Sequence, residues 1–488
     1  MSGELRTKTV SGVIWSGLQR FGSTMLSFIS TIVLARLLTP EDYGYIGMLA
    51  IFLAVSSSFI DGGFGSALIQ KKRPTHHDYS TIFYWNLGLS LVLYLLLFFT
   101  APFIARFYNL PLLCSILRVE GIVLILNALR IIQTNLLRKQ LRFKKIAVVD
   151  LSVAFVSLIA TIFLAWKGLG VWALVVQQLL VSFLTTSIYW LTGHWMPLLE
   201  FSKKSFRELF KFGGFILLSN LINTFCNNIQ GLLIGKFYNP ATMGYYSKAK
   251  STEELSSTFI SNVIDQVSYP VLAEAQNDKA YMIRMLKKFI GVLAYVTFPI
   301  MLLLIILAKP IFVLLYSERW LPSVPYFQVL CIAGMAVCLQ GINYYAVAAI
   351  GKSEKLFLGT LIKRSVGLLL VVGGLLIAGM KGLLCGVVLS SYFIYLVNAI
   401  LVSKYVGYSI IRQFKDLLAI LLLSIASFAI AILVGFLLKS IDNMYIIGLV
   451  QFVVFITLYV AISKVLQLEE FKNSIEIISE FAKRFRSK

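Results

Sequence analysis

The sequence predicts an all-α membrane protein with about fourteen transmembrane helices, arranged as two parallel six-helix repeats followed by two C-terminal helices. Three observations support this fold class. Hydrophobic residues make up 58% of the chain and charged residues only 14%, whereas soluble proteins carry about 25% charged residues. One turn sequence occurs twice at a spacing of 200 residues. Lysine and arginine also alternate regularly between the two predicted sides of the membrane.

Apolar segments recur along the whole chain, which has a mean hydropathy of +0.84. Each is long enough to cross a hydrocarbon layer of about 30 Å as a helix. A large soluble helical protein would instead need shorter helices, each with one polar face. The predicted spans are 9–37, 44–64, 81–101, 113–135, 146–166, 169–191, 212–235, 244–268, 287–308, 324–350, 358–379, 382–403, 415–438 and 444–465.

An internal repeat defines the organisation of these spans. The segment TPEDYGYIGMLAIFLAVSSSFI begins at Thr39, and NPATMGYYSKAKSTEELSSTFI begins at Asn239. Six spans separate the start of the first copy from the second, and an even number of crossings keeps both copies in one orientation. The halves are therefore predicted to be parallel repeats. The identical pairs are Pro40 with Pro240, Gly44 with Gly244, Tyr45 with Tyr245, Ser56 with Ser256, Ser57 with Ser257, Phe59 with Phe259 and Ile60 with Ile260.

We accordingly predict four regions in the chain. Residues 1–200 form an N-terminal six-helix lobe, 201–403 a C-terminal six-helix lobe, 404–465 two additional transmembrane helices, and 466–488 a cytoplasmic amphipathic tail. The tail is predicted to lie along the membrane surface, because its apolar residues share one helical face. A helix that docks a partner protein is the alternative. The residues of this apolar face are Phe471, Ile475, Ile478, Ala482 and Phe485.

Basic residues give an independent test of the span count. With the N-terminus inside, 31 lysines and arginines fall on the inner segments and 8 on the outer ones. A missed span would scramble this alternation, so we predict that both termini are cytoplasmic. The net charge of +22 then reflects topology and contact with anionic lipid headgroups, and it does not indicate nucleic-acid binding.

Polar side chains within the spans indicate where a substrate binds, because polar groups are costly in lipid. Small and hydroxylated residues that join helices would account for the serines. They do not account for arginines and a row of amides, which favour a wet cavity between the lobes. The candidate cavity residues are Arg20 in the first span, Glu120, Asn127 and Arg130 in the fourth, Asn223, Asn227 and Gln230 in the seventh, and Lys248 in the eighth.

The sequence predicts neither an enzyme nor a metal site. Its five cysteines lack the spacing of a metal site, and no cofactor is expected. A membrane glycosyltransferase or polymerase would need acidic catalytic residues on a substantial outer loop. The predicted outer loops are short, and their carboxylates are scattered at Glu41, Asp42, Glu318 and Asp442.

Four segments of the chain resemble the polysaccharide exporter family. They are ARLLTPEDYGYIGM, FIDGGFGSALIQKK and NLLRKQLRFKKIA in the first half, and NNIQGLLIGKFYNPATMGYYSKA in the second. This family includes flippases for O-antigen-type repeat units and belongs to the multidrug, oligosaccharidyl-lipid and polysaccharide exporter superfamily. The resemblance covers essentially the whole chain and is densest in the first 270 residues.

The resemblance implies two lobes that form a V around a central cavity, which opens alternately to the two sides of the bacterial inner membrane. Its implied cargo is an undecaprenyl-diphosphate-linked oligosaccharide for surface polysaccharide synthesis. A lipid II flippase and a cation-coupled drug exporter of the same superfamily are the alternatives. We expect a monomer in contact with membrane lipids. Docking of a polysaccharide polymerase or of glycosyltransferases stays open at this point.

Overall fold

A computed structural model describes residues 3–193, 195–474 and 476, and within these residues the secondary structure is helical, without strands. Fifteen α-helices follow one another along the described chain. They are α1 (Gly3–Leu37), α2 (Pro40–Asp61), α3 (Phe64–Gln70), α4 (His76–Tyr108), α5 (Leu112–Glu120), α6 (Ile122–Lys139), α7 (Phe143–Trp166), α8 (Val171–Thr192), α9 (Lys203–Phe237), α10 (Pro240–Glu274), α11 (Lys279–Tyr316), α12 (Val324–Ala349), α13 (Ser353–Tyr405), α14 (Ile410–Leu437) and α15 (Met444–Val465).

These helices confirm the prediction of a polytopic all-α protein. Eleven helical segments of the described chain are long and apolar enough to cross a membrane, and the bent helix α9 makes twelve. Helix α13 contains two of the predicted spans, which raises the count to thirteen. Helix α10 is long enough to span, but it is too polar to meet the same criterion. Each predicted span thus corresponds to a helix or to one arm of a helix, except the fourth, which comprises α5 and α6.

Helix α13 consists of two arms that fold back on each other. The backbone leaves the helical conformation at Ala378 and Gly379, where Gly379 adopts φ 59°, a region that glycine enters without a steric penalty. Close to this turn, Gly374 and Gly382 bring the two backbones together, and a side chain on either would overlap the carbonyl oxygen of the other. The predicted boundary between the spans 358–379 and 382–403 lies at this turn.

The chain divides into two compact units, Met1–Gly244 and Tyr245–Lys488. In the first unit, α1 packs along α7, α2 packs along α9, and α4, α6 and α8 pack together. In the second unit, α11 packs against α12, α14 and α15, and α12 packs along α13. The four regions predicted from sequence symmetry, with their lobe boundary at residues 200 and 201, stay a prediction.

The two copies of the repeat begin with the same local structure. Thr39 caps α2 together with Asp42 in a reciprocal capping box, and the Asn239 carboxamide oxygen accepts a hydrogen bond from the Thr242 N–H at 2.8 Å. Each capping side chain accepts a hydrogen bond from an N–H group of the first helical turn, which has no partner within the helix. A proline follows each cap, where its missing N–H is tolerated. The repeated sequence therefore specifies a capped helix start.

Reciprocal contacts join these two helix starts within the first unit. A Cβ atom on Gly44 would lie 1.9 Å from the carbonyl oxygen of Pro240, and one on Gly244 would lie 1.8 Å from that of Pro40. Each helix start thus rests on the glycine one turn inside the other helix. Only glycine permits this separation of the backbones, because heavy atoms do not approach within 3.0 Å of a real Cβ.

A second group of contacts joins two segments that carry the family resemblance, FIDGGFGSALIQKK and NLLRKQLRFKKIA. The Lys139 ammonium donates to the carbonyl oxygens of Leu68 at 2.9 Å and Lys71, which are free at the end of the short helix α3. Lys71 in turn forms ion pairs with Asp78 and Glu208. Burial alone would lower the pKa of Lys71, but these two partners raise it above its ordinary value. The basic loop is therefore fixed to three helices.

The C-terminal tail is described only in its first part. Residues Leu468 to Ser474 and Glu476 are described, and they lie against α11: the Phe471 and Tyr295 rings are 6.3 Å apart. Lys288 pairs with Glu476 at 3.1 Å. The other residues of the predicted apolar face, Ile475, Ile478, Ala482 and Phe485, lie outside the described residues.

Candidate functional site

Helix α1 presents three faces with different surroundings. One face packs closely on α7, where Gly12 lies against Phe143 and Gly22 against Leu151. A second face exposes apolar side chains, among them Phe21 at 60% exposure. A third, polar face exposes Arg20, together with Thr24 and Ser27. This face leaves the Arg20 guanidinium accessible to a ligand.

Asp150 of α7 connects the polar residues of four helices. Its carboxylate accepts hydrogen bonds from the Gln19 amide of α1 at 2.5 Å and from the Tyr189 hydroxyl of α8 at 3.1 Å. Arg130 of α6 is half-buried and within electrostatic range of the same carboxylate. The structure therefore brings Arg130 together with the residue that precedes Arg20. We call Gln19, Arg130, Asp150 and Tyr189 the Asp150 cluster.

Glu120 and Asn127 lie elsewhere in the first unit. Glu120 is the last residue of α5 and only 1% exposed. It forms a hydrogen bond with Gln178 of α8, while its second carboxylate oxygen has no partner among the described residues. Asn127 likewise has a buried carboxamide oxygen without a partner within the described chain. Asp150, and not Glu120, is the carboxylate that acts on Arg130.

The amide row of α9 is only partly exposed. Asn227 is exposed, whereas Asn223 and Gln230 are half-buried. The adjacent face of the helix packs on α2, where the Thr224 and Ser58 hydroxyls are 2.9 Å apart and Gly231 lies against the Gly47 backbone. The amides therefore border the α2–α9 contact.

Lys248 has a different environment from the other predicted site residues. It belongs to the second unit and is 2% exposed. Its ammonium lies 4.7 Å from the centre of the Tyr316 ring and 5.1 Å from that of Trp320. These are cation–π distances, so aromatic rings stabilise its charge away from water.

The sequence analysis did not identify Asp150. The available signal was a lone carboxylate in the first turn of the fifth predicted span, close to the basic residues of an inner loop. Its importance depends on the packing of α1 on α7, which brings Gln19 to it. Sequence spacing does not show that contact.

The fold and its polar residues together define a polytopic helical membrane protein with an exposed arginine next in sequence to a member of the half-buried Asp150 cluster. A family model described as "Polysaccharide biosynthesis protein" matches residues 33–325. The chain belongs to this family, and its resemblance to the polysaccharide exporters is confirmed.

Characterised relatives carry names from polysaccharide synthesis and transport. Teichuronic acid biosynthesis protein TuaB of Bacillus subtilis (strain 168) is 24% identical over 350 residues, which are 71% of this chain and 72% of TuaB. Lipopolysaccharide biosynthesis protein WzxC of Escherichia coli (strain K12) is 23% identical over 68% of each chain. Succinoglycan biosynthesis transport protein ExoT of Rhizobium meliloti (strain 1021) is 23% identical over 74% of each.

Solved structures with the same fold are transporters. The chain resembles a structure named "Lipid II flippase MurJ, inward closed conformation" with a TM-score of 0.76 and 18% identity, over 93% of this chain and 98% of that one. It also resembles an inward-facing multidrug resistance MATE family transporter of the MOP superfamily, with a TM-score of 0.62 and 14% identity, over 82% and 95%. At these identities the likeness shows the fold alone. The fold and the family together identify a membrane transport protein of polysaccharide biosynthesis.

Proposed function

We propose that the protein is a flippase that translocates undecaprenyl-diphosphate-linked oligosaccharide repeat units from the inner to the outer leaflet of the bacterial cytoplasmic membrane. Both termini lie in the cytoplasm in this proposal, and the cavity opens alternately to the two sides. Translocation makes and breaks no covalent bond, so the protein acts as a transporter and not as an enzyme. The relatives named for teichuronic acid, lipopolysaccharide and succinoglycan synthesis support a cargo of this class.

The exposed guanidinium of Arg20 is the observation that carries the proposal. A diphosphate bears negative charge on several oxygens, and the planar guanidinium donates two parallel hydrogen bonds to such a group. Arg20 is exposed on a polar helix face, in the half of α1 predicted to be cytoplasmic. A headgroup made in the cytoplasm meets this half of the cavity first.

The remaining polar residues suit the sugars and the lipid chain. Asn223, Asn227 and Gln230 on α9 offer amide donors and acceptors for hydroxyl groups. The polyprenyl chain needs no polar partner and stays in the surrounding lipid. Lys248 is buried beside the Tyr316 and Trp320 rings, so we assign it no direct contact with the cargo.

Arg20 also bears on the two alternatives. A cation-coupled drug exporter would be expected to carry a titratable carboxylate in its first-lobe cavity, and α1 offers Arg20 there instead. A lipid II flippase carries a diphosphate as well, so the arginine suits both cargoes. The phenotype of cells that lack the protein distinguishes the two functions. Loss of a surface polysaccharide with normal growth supports the repeat-unit flippase, whereas arrest of cell-wall synthesis supports lipid II.

Substitution of Arg20 tests the proposal in cells that lack the chromosomal copy. Loss of a hydrogen-bonded charge costs about 1.5–3 kcal/mol, and each 1.4 kcal/mol is about tenfold in binding. Arg20→Gln is therefore expected to reduce surface polysaccharide by at least about tenfold. Arg20→Lys should retain part of it, since a point charge still attracts phosphate.

Arg36→Gln is the matched control, because Arg36 is an exposed arginine in the last turn of the same helix. It lies about 24 Å from Arg20 along α1 and should leave polysaccharide unchanged. Membrane abundance is measured for every variant. Normal polysaccharide in the combined Arg20→Gln, Arg130→Gln variant would contradict the proposal.

A further inference from the structure

A carboxyl group is buried in the second unit without a full set of hydrogen-bond partners. Glu253 lies in α10, 13 residues after Pro240, which places it about 20 Å along the helix. A hydrocarbon core is about 30 Å thick, so the residue lies at membrane depth. Glu253 is 7% exposed, and its Oε1 atom is buried without a hydrogen-bond partner in the described part of the chain.

The surroundings of this oxygen are apolar on two sides. Residue 334 of α12 is a glycine, and Oε1 occupies the space that a larger side chain would fill there. A Cβ atom on Gly334 would lie 2.3 Å from Oε1. The sulfur of Met301 in α11 lies 3.3 Å from the same point. Gly334 therefore provides a recess between α11 and α12, and the carboxyl group of Glu253 fills it.

The charged and titratable groups near Glu253 do not neutralise it by direct contact. On α10, the Lys250 ammonium interacts electrostatically with the Glu253 carboxyl group without contacting it. Lys250 pairs instead with the exposed Glu254 at 3.8 Å. The Ser257 hydroxyl forms a hydrogen bond with the carboxyl group, and Tyr246 is within electrostatic range. On α12 the neighbour is the buried thiol of Cys331, and on α11 it is the uncharged Met301.

We propose that Glu253 is a proton-binding site of the transport cycle. An ionised carboxylate in this recess would be a buried charge without a partner, which is costly in a protein interior and more so in a membrane. Uptake of one proton from the aqueous phase gives a neutral carboxylic acid and changes no other bond. When α10 moves away from α12, water reaches the recess and the proton returns to the aqueous phase.

A proton fits this recess better than a metal ion does. Hard cations take six or more oxygen ligands, whereas the groups that share this recess with Oε1 are a glycine and a thioether sulfur. A soft metal would need thiolate or imidazole ligands. Within the described residues, no group of three His, Cys, Asp or Glu side chains is placed to hold a metal ion.

Infrared difference spectroscopy on the purified full-length protein in lipid vesicles tests proton occupancy without any substrate. The wild-type protein is expected to show the C=O stretching band of a buried protonated carboxyl group, which is lost when the pH is raised. Glu253→Gln should remove this pH-dependent component. Glu254→Gln is the matched control and should retain it, because Glu254 is the exposed neighbour.

Two further measurements keep the test decisive if Glu253→Gln is poorly folded. Gly334→Ala fills the recess with a methyl group, so the Glu253 band should weaken or shift while the protein keeps its glutamate. Addition of Na⁺ at constant pH should leave the band unchanged. An identical pH response in wild type and Glu253→Gln, or loss of the band on addition of Na⁺ alone, would overturn the proton site.

The role in transport rests on the proposed flippase function and is tested separately. With undecaprenyl-diphosphate-linked oligosaccharide in the vesicles, a pH gradient should accelerate translocation by the wild type and by Glu254→Gln. Translocation by Glu253→Gln should be insensitive to the gradient. A band that behaves as expected without any translocation refutes the flippase function alone, whereas gradient-driven translocation by Glu253→Gln refutes the role of this proton.

Discussion

Alanine at position 44 or 244 is expected to hold the helix starts of α2 and α10 apart and to reduce transport. A methyl group on either glycine would lie within 2 Å of a proline carbonyl oxygen of the other helix, and backbone atoms do not rotate away as a side chain does. Overpacking typically costs about 1–3 kcal/mol, which reduces the population with closed helix starts about 5- to 150-fold. Transport that depends on this contact should fall by a similar factor.

A buried cysteine reports this separation directly. Met48 is 0% exposed and packs on Gly235 of α9, one turn inside the contact. In a background without the five native cysteines, Met48→Cys should resist a membrane-impermeant thiol reagent added from outside. The same cysteine should be labelled when Gly44→Ala or Gly244→Ala is also present.

Gly88→Ala is the matched control, because no atom lies within 4 Å of a Cβ at this position of α4. It should affect neither labelling nor transport. Full transport with an unlabelled Met48→Cys in the Gly44→Ala protein would contradict the closed contact. It would also remove the physical reason for the glycine shared by the two repeats.

Neutralising Arg130 and Asp150 together is expected to restore membrane abundance without restoring transport. Arg130→Gln alone removes the cation that acts most strongly on the half-buried Asp150 carboxylate and leaves only the weaker effect of Arg138. Asp150→Asn alone removes the charge that holds Gln19 and Tyr189, and such hydrogen bonds to a charged group contribute about 1.5–3 kcal/mol each. Both single variants should therefore be less abundant in the membrane.

The double variant separates a structural role from a binding role. The double variant Arg130→Gln, Asp150→Asn leaves no unpaired carboxylate, so its membrane abundance should recover. Its transport should not recover, because the diphosphate can bind Arg20 but no longer has Arg130. Arg118→Gln provides the comparison, because Arg118 packs on the Phe98 ring at 4.4 Å and donates to its backbone. For that structural arginine, abundance and transport should fall in proportion. Recovery of transport along with abundance in the double variant would show that Arg130 acts only in folding.

The helices could be predicted from the sequence because apolar length is a local property. The span boundary near Gly379 and the polar character of α10 follow from the same local information. The repeat predicted one turn sequence at two places, and the structure has a helix cap at each of them, at Thr39 and at Asn239. It did not predict that Gly44 rests on Pro240, because sequence similarity between two segments carries no information about their contact.

The candidate site was less predictable because it depends on distant contacts. Arg20 stands on a polar face that its own helix defines, so spacing along α1 was sufficient to find it. Asp150 becomes significant only when α7 packs on α1 and brings it to Gln19. The burial of Lys248 between Tyr316 and Trp320 depends on residues that come much later in the chain. For Lys248, charge within a predicted span indicated importance, but it did not show which groups would surround the ammonium.

Reconstitution of the purified protein tests the central claim most directly. Vesicles that contain undecaprenyl-diphosphate-linked oligosaccharide are treated from outside with an impermeant reagent that modifies the sugar, with and without the protein. The account predicts that the inner-leaflet pool becomes modified only when the protein is present, and at least about tenfold more slowly with Arg20→Gln. The Arg36→Gln protein should match the wild type. An inner-leaflet pool that stays protected in the presence of the folded wild-type protein would contradict the account.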